Sequence, residues 1–224
     1  MDAPRRLAWM SWSTGKDSTL ALHRARSDSS LDVVGLLTTV NSTADRVAMH
    51  AVRRSLLEAQ AEALGLPLHV VDLPWPCPNA TYEALMSSAV ATAVDSGIER
   101  VVFGDIFLTD IREYRESMLE GTGLSPLFPL WHRRTEELAA EMIAAGIRAI
   151  VTCVDPTQAP PEIAGRFYDA QLLRELPSGV DPCGENGEFH TFAVDGPGFS
   201  FPLDVTVGEV VERDGFVFAD VVPT

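Results

Sequence analysis

The sequence predicts an α/β protein: a parallel sheet covered by helices on both faces, followed by a small C-terminal lobe. Short apolar segments alternate with segments of helical period over residues 1–154. Turn and stop residues separate them, and the run Asp155-Pro156-Thr157-Gln158-Ala159-Pro160-Pro161 then breaks the alternation. Leu7 to Ser13 is the first strand, and a helix follows from about Ser18 to Ala25. Leu31 to Val40, rich in Val, Leu and Thr, is the second strand. Residues 46–64 carry Val47, Leu56, Leu57, Ala61 and Leu64 at helical spacing, ended by Gly65 and Pro67. Leu68 to Leu73 reads as a strand, Asn79 to Ser96 as a helix closed by Gly97, and Arg100 to Gly104 as a fourth strand. A helix at about Thr135 to Ala145 leads to a fifth strand, Ile147 to Val154.

The proline-rich run marks a division into residues 1–154 and a lobe of residues 155–224. In that lobe one helix, about Gly165 to Glu175, precedes a loop-rich tail, and Asp214-Gly215 between apolar segments signals a hairpin. There is no repeat and no low-complexity tract.

A chain of 224 residues, 46% of them hydrophobic, suffices for a proper core and an enzyme-sized domain. No apolar run approaches the roughly 18 residues of a membrane span, and Leu7 to Met10 is too short for a secretory signal core, so a cytoplasmic location is expected. Cys77, Cys153 and Cys183 are far apart and form no C-x-x-C pair; they read as reduced, structural thiols, not as a zinc or iron–sulfur site. With 17 Lys plus Arg against 32 Asp plus Glu, the formal charge is −15. Such a surface disfavours a nucleic-acid partner, because phosphate neutralisation dominates that affinity. The pairs Arg53-Arg54 and Arg133-Arg134 read as solvated helix faces.

The first strand ends in Ser13-Thr14-Gly15-Lys16-Asp17-Ser18 and a helix begins there. A glycine-bearing loop at a strand-to-helix junction turns backbone N–H groups toward an anion, and the helix N-terminus adds partial positive charge. The loop is not a Walker A sequence: that pattern requires glycine where Met10 stands and Ser or Thr where Asp17 stands. No G-x-G-x-x-G occurs at this junction either, so kinase and dinucleotide-binding readings lose their support.

The run resembles the Ser-Gly-Gly-x-Asp-Ser signature of PP-loop ATP pyrophosphatases, with Thr14 in place of the first glycine. Three further segments resemble the diphthine ammonia ligase family of such enzymes, and the likeness runs over nearly the whole chain. They are Met49-His50-Ala51-Val52 with Glu58 to Gly65, Gly104-Asp105-Ile106 through Tyr114-Arg115-Glu116 to Pro129-Leu130-Trp131, and Cys183-Gly184-Glu185-Asn186-Gly187-Glu188-Phe189-His190-Thr191. The resemblance implies ATP as substrate and amidation of a carboxylate through an acyl-adenylate, with release of pyrophosphate and then AMP. After Gly104-Asp105, archaeal and eukaryotic members have Ser-Asp-Tyr-Gln, whereas Phe107-Leu108-Thr109-Asp110 stands here. That difference resembles a bacterial branch, and bacteria make no diphthamide, so the resemblance implies the chemistry and leaves the carboxylate acceptor open. Other adenylating reactions, such as RNA thiolation or amination, and a non-catalytic ATP or AMP sensor are the rival readings.

Within this frame Ser13, Thr14, Gly15, Lys16, Asp17, Ser18 and Gly104 are candidates for binding ATP, with Lys16, Asp17 and Asp105 in catalysis. Lys16 would screen charge on the leaving group. Asp17 and Asp105 would hold Mg²⁺, which favours a few carboxylates plus phosphate oxygens; helix or turn capping is the alternative for each, as a plain helix start is for Ser18. Gly104 would let the nucleotide approach the backbone. His50, Glu185, Glu188 and His190 are candidates for the acceptor and for ammonia or ammonium, with a packed histidine and a solvated acidic loop as the alternatives. A homo-oligomer is compatible with all of this.

Overall fold

The computed structural model describes residues 4–224. Its chain order is β1 (Arg6–Ser11), α1 (Lys16–Ser27), β2 (Leu31–Asn41), β3 (Arg46–Val47), α2 (Arg54–Leu64), β4 (Leu68–Leu73), α3 (Asn79–Asp95), β5 (Arg100–Val102), α4 (Thr109–Leu119), β6 (Ser125–Leu127), α5 (Thr135–Ala144), β7 (Arg148–Val154), a 3-10 turn at Pro161–Ile163, α6 (Ala170–Glu175), β8 (Phe189–Asp195), β9 (Val205–Arg213) and β10 (Phe216–Pro223). β1, β2, β4, β5 and β6 form a parallel sheet. Successive side chains of β1 point to opposite faces. Ala8 and Met10 enter a core shared with α1, α2 and α5, while Trp9 enters a second core with α3 and the end of α4. The sheet is thus covered on both faces, as the alternation of strands and helices predicts.

A second sheet, antiparallel, has the order β8-β7-β10-β9. The expected fifth strand at 147–154 therefore belongs to the C-terminal sheet and not to the parallel one. Val154 pairs with Phe189 and with Val217 on its two sides. An apolar strand buried on both faces looks the same in either setting, so periodicity does not distinguish them. The loop-rich tail contains three strands, and Asp214 and Gly215 join β9 to β10 with φ of 52° and 82°, the left-handed pair a tight hairpin needs.

Residues 46–53 are a strand and a turn, not the start of a helix. β4 holds one edge of β2 at residues 36–41, so β3 adds to the other edge, beyond the point where β1 stops. Val47 N–H donates to Val52 O at 2.8 Å to close the turn, and Met49 and Ala51 sit at φ of 62° and 54°. The hairpin pairing with β2 overrides a helical pattern that is sound only from Arg54 onward. That helix ends as expected, with Gly65 at φ 64°. The C-terminal helix is shorter than the sequence suggests and starts after Asp169, whose carboxylate accepts from Leu172 N at 2.8 Å. α4 escapes a periodicity reading because only Leu119 of its residues is buried.

No helix among the described residues is long and apolar enough to cross a membrane. The three cysteines are free thiols.

Candidate functional site

The Ser13–Ser18 loop leaves the C-terminal end of β1, the edge at which open parallel sheets bind ligands. Thr14 adopts φ 73°, a left-handed conformation that favours glycine and is unusual for a β-branched residue. Its side chain is fully buried and its hydroxyl has no hydrogen-bond partner. Surrounding contacts hold this conformation. Thr14 O accepts from Ala193 N at 2.8 Å and from Gln60 Nε2 at 3.0 Å, while Gln60 also donates to Ala193 O at 2.6 Å and accepts from Trp12 Nε1 at 2.8 Å. Lys16 N–H donates to Thr191 Oγ1 at 3.1 Å. A strand of the C-terminal sheet thus braces a loop of the parallel sheet.

Gly15 is the N-cap of α1 and offers no capping side chain, so the Asp17 and Ser18 N–H groups of the first turn have no intrahelical acceptor. Ser18 Oγ and Thr19 Oγ1 both donate to Gly15 O at 2.9 Å, and Ser13 Oγ lies 3.2 Å from Ser18 Oγ. The two serines are partly committed to shaping the loop. A Cβ on Gly104 would stand 3.2 Å from Ser18 N and 3.3 Å from the Asp17 carbonyl carbon. The first turn of α1 therefore packs closely against Gly104.

Lys16 is the only lysine of the chain. Its side chain is 1% exposed; Nζ donates to Asp17 Oδ2 at 3.0 Å and to the Cys183 carbonyl, and lies 5.2 Å from the centroids of both Tyr168 and Phe189. Burial is the largest influence and lowers its pKa, but Asp17, Cys183 and Glu185 together more than offset it and the ammonium stays charged. In this conformation Lys16 is not aimed at open solvent where a phosphate would arrive; it latches the loop to the 181–188 segment. The Asp17 Oδ1 atom is buried and has no partner.

Asp105 follows β5 at the same edge. Burial raises its pKa against the opposing charge of Arg115, and Asp17 adds to the rise. Glu185 reaches across from the C-terminal lobe: its Oε1 accepts from Ile106 N at 2.7 Å and Phe107 N at 3.3 Å. Burial, then the nearby charge of Asp17, pushes its carboxyl up to about 7. Three carboxylates, Asp17, Asp105 and Glu185, thus share one electrostatic environment, although no group of three or more His, Cys, Asp or Glu among the described residues is arranged to hold a metal by itself.

On the other side of Asp17 lie two imidazoles. His50 sits in the strained turn after β3, over the loop: a Cβ on Gly15 would meet its Cε1 at 2.9 Å. Its Nδ1 bonds Thr191 O at 2.9 Å, which places the proton on Nδ1 and leaves Nε2 as an acceptor. His190 is tilted against it, ring centroids 4.8 Å apart. Burial depresses both, His190 to about 3, so both are neutral near pH 7. Glu188 is elsewhere in role. It is 3% exposed, and its carboxylate accepts from Asp181 N at 3.1 Å, Asn186 N at 2.9 Å and Asn186 Nδ2 at 2.9 Å, so it clamps its own loop. Gln60, Thr191 and Arg115 belong to the site's framework and were not among the sequence candidates.

This is an α/β protein whose loop, acidic edge and imidazole pair meet between a parallel sheet and a C-terminal lobe, and comparison gives that class a family. The Diphthamide synthase N-terminal domain model matches residues 6–126 and the Diphthamide synthase C-terminal domain model matches residues 134–219. The chain belongs to the diphthamide synthase family. Among curated proteins it is similar to the diphthine–ammonia ligase of Rattus norvegicus, 30% identical over 193 residues that cover 79% of this chain and 72% of the relative. The Bos taurus enzyme of the same name is 31% identical over 193 residues, with the same coverage. That of Schizosaccharomyces pombe is 31% identical over 120 residues, 52% of this chain and 20% of the much longer relative.

Proposed function

We propose that the protein is an ATP-dependent ligase that adenylates a carboxylate and amidates it with ammonia, releasing AMP and pyrophosphate. The observation that carries this reading is the meeting of the uncapped N-terminus of α1 with Asp17, Asp105 and Glu185 at one sheet edge. The free N–H groups of the first turn suit phosphate oxygens. Asp17 and Asp105 suit the magnesium that ATP carries: Asp17 Oδ1 is buried without a partner, and like charges crowd one another there. Bound between these carboxylates and the triphosphate, Mg²⁺ would neutralise charge on the phosphate oxygens.

An oxygen of the acceptor carboxylate forms a bond to the α-phosphorus, and the bond to the bridging oxygen breaks with its electron pair leaving in pyrophosphate. Ammonia then attacks the acyl carbon and AMP departs. Ammonia must arrive neutral, and its attack releases a proton. Glu185, whose carboxyl is held up to about 7, is the proton acceptor matched to that task, whereas burial disfavours a proton on His50 and His190 and leaves them as neutral hydrogen-bonding groups. The fixed dipoles of the site act on charge as it develops.

ATP labelled separately in the α and γ phosphates distinguishes this reaction from ordinary hydrolysis. With Mg²⁺, ammonium and an extract of cells lacking the protein as the source of acceptor, label is expected in AMP and pyrophosphate. ADP with inorganic phosphate, and no AMP, would refute the reading.

A further inference from the structure

Two cations act on the three carboxylates, Lys16 and Arg115. Lys16 is committed to Asp17 and to the Cys183 carbonyl. Arg115, on α4, is not so engaged. Its guanidinium lies over the Phe103 ring, 5.0 Å from the centroid, and its Nε is buried with no hydrogen-bond partner. The nearest carboxylate oxygen, Asp105 Oδ2, is 3.7 Å away, beyond hydrogen-bond reach. A buried donor left without an acceptor is unfavourable, so the group stands ready for an acceptor atom. The side chain keeps 26% exposure, which leaves it a face toward an incoming ligand.

Arg112, one helical turn earlier on the same helix, provides the contrast. Its Nε donates to Glu116 Oε1 at 2.7 Å, and its guanidinium lies 4.8 Å from the Phe128 centroid and 4.7 Å from that of Trp131. It has its partners already.

We propose that Arg115 is the acceptor-binding residue, taking the acceptor's carboxylate beside Asp105 and then the acyl oxygen of the adenylate. The inference rests on the ligase reading above and deepens it. A substrate carboxylate that must enter among Asp17, Asp105 and Glu185 needs a cation to bring it there, and a planar guanidinium matches a carboxylate's two oxygens. One of those oxygens bonds to the α-phosphorus as pyrophosphate leaves. The other remains on Arg115 as the carbonyl oxygen, gathers negative charge when the lone pair of ammonia adds to the acyl carbon, and returns to a carbonyl as AMP takes the C–O bonding pair and nitrogen gives up a proton. Arg115 is thus a hydrogen-bond donor to the atom on which charge develops.

The test uses 5′-O-(N-acetylsulfamoyl)adenosine, a stable mimic of an acyl-adenylate, against AMP, with affinities for each measured by calorimetry on the whole protein and on Arg115→Ala and Arg115→Lys. The wild type is expected to prefer the acyl mimic. Arg115→Ala should weaken the mimic about tenfold or more while leaving AMP within about twofold, the loss of one charge-assisted hydrogen bond. Arg115→Lys, which keeps the charge without the fork, should fall between. Unchanged affinity for the mimic in Arg115→Ala would overturn the assignment, as would equal weakening of AMP and mimic, which would make Arg115 a nucleotide-binding or purely structural residue. A wild type that binds neither AMP nor ATP would sink the ligase reading itself and this assignment with it.

Discussion

Lys16→Met is expected to lower the unfolding free energy by about 3 kcal/mol, the lower end of the cost of removing one partner from a buried ion pair. Methionine keeps an aliphatic stem between Tyr168 and Phe189, so the loss isolates the charge. Asp17 is left without its cation, and the Cys183 carbonyl without its donor. The lower end applies because the Asp17 side chain remains 24% exposed. Denaturant unfolding reads the change, and the double variant Lys16→Met with Asp17→Asn should regain part of it. The pH dependence has a definite sign. Lys16 has a folded-state pKa raised above its ordinary 10.5, so its contribution is fully present below that value and is lost as pH rises through the folded pKa. The gap between wild type and Lys16→Met should therefore be level through neutral pH and narrow only in alkali. A variant as stable as wild type would show that the ammonium faces water, not Asp17 and Cys183.

Gln60→Leu is expected to cost a comparable amount, on the order of 3–5 kcal/mol, through unmade hydrogen bonds. Gln60 is fully buried and serves Trp12 Nε1, Thr14 O and Ala193 O at once. Leucine fills the space and satisfies none of them; the Ala193 N–H to Thr14 O bond at 2.8 Å and the Lys16 N–H to Thr191 Oγ1 bond at 3.1 Å remain across that junction. Gln60→Glu separates shape from polarity. It keeps the bond from Trp12 and turns a second oxygen toward two carbonyls, so it too should be strongly destabilised, and no recovery relative to leucine is expected. A glutamate variant with wild-type stability would contradict the three-way bond. Because Thr14 holds φ 73°, loosening this brace should also release the loop, which tryptophan fluorescence of the buried Trp12 would report.

These two residues show what the sequence makes legible and what it hides. The loop is readable because strand, small polar residues and helix follow one another, and the Asp214-Gly215 hairpin because the dipeptide itself specifies the left-handed turn. Gln60 looks like one polar residue inside an amphipathic helix, since its partners lie 46, 48 and 133 positions away. Lys16 looks like a phosphate ligand by its position, but its length lets it turn inward to a carbonyl 167 residues distant. A signal was available: in a chain with 17 cationic residues, Lys16 is the single lysine, and its compact ammonium lies against two rings.

Glu185 and Glu188 make the same point at closer range. Both stand in one short acidic segment, yet Glu185 crosses to the backbone after Asp105 while Glu188 folds back on Asp181 and Asn186. No spacing rule distinguishes them. Likewise β7 has the composition of a parallel core strand and pairs antiparallel with β8 and β10, a direction that its own composition does not carry.

The central claim, amidation driven by adenylation, is tested most directly by supplying [15N]ammonium with ATP, Mg²⁺ and an extract of cells lacking the protein, then following both the nucleotide and the nitrogen by mass spectrometry. The expected result is an amide carrying 15N where a carboxylate stood, with one AMP and one pyrophosphate formed for each amide. ATP turned over to ADP and phosphate, or AMP formed with no 15N entering any acceptor, would contradict it.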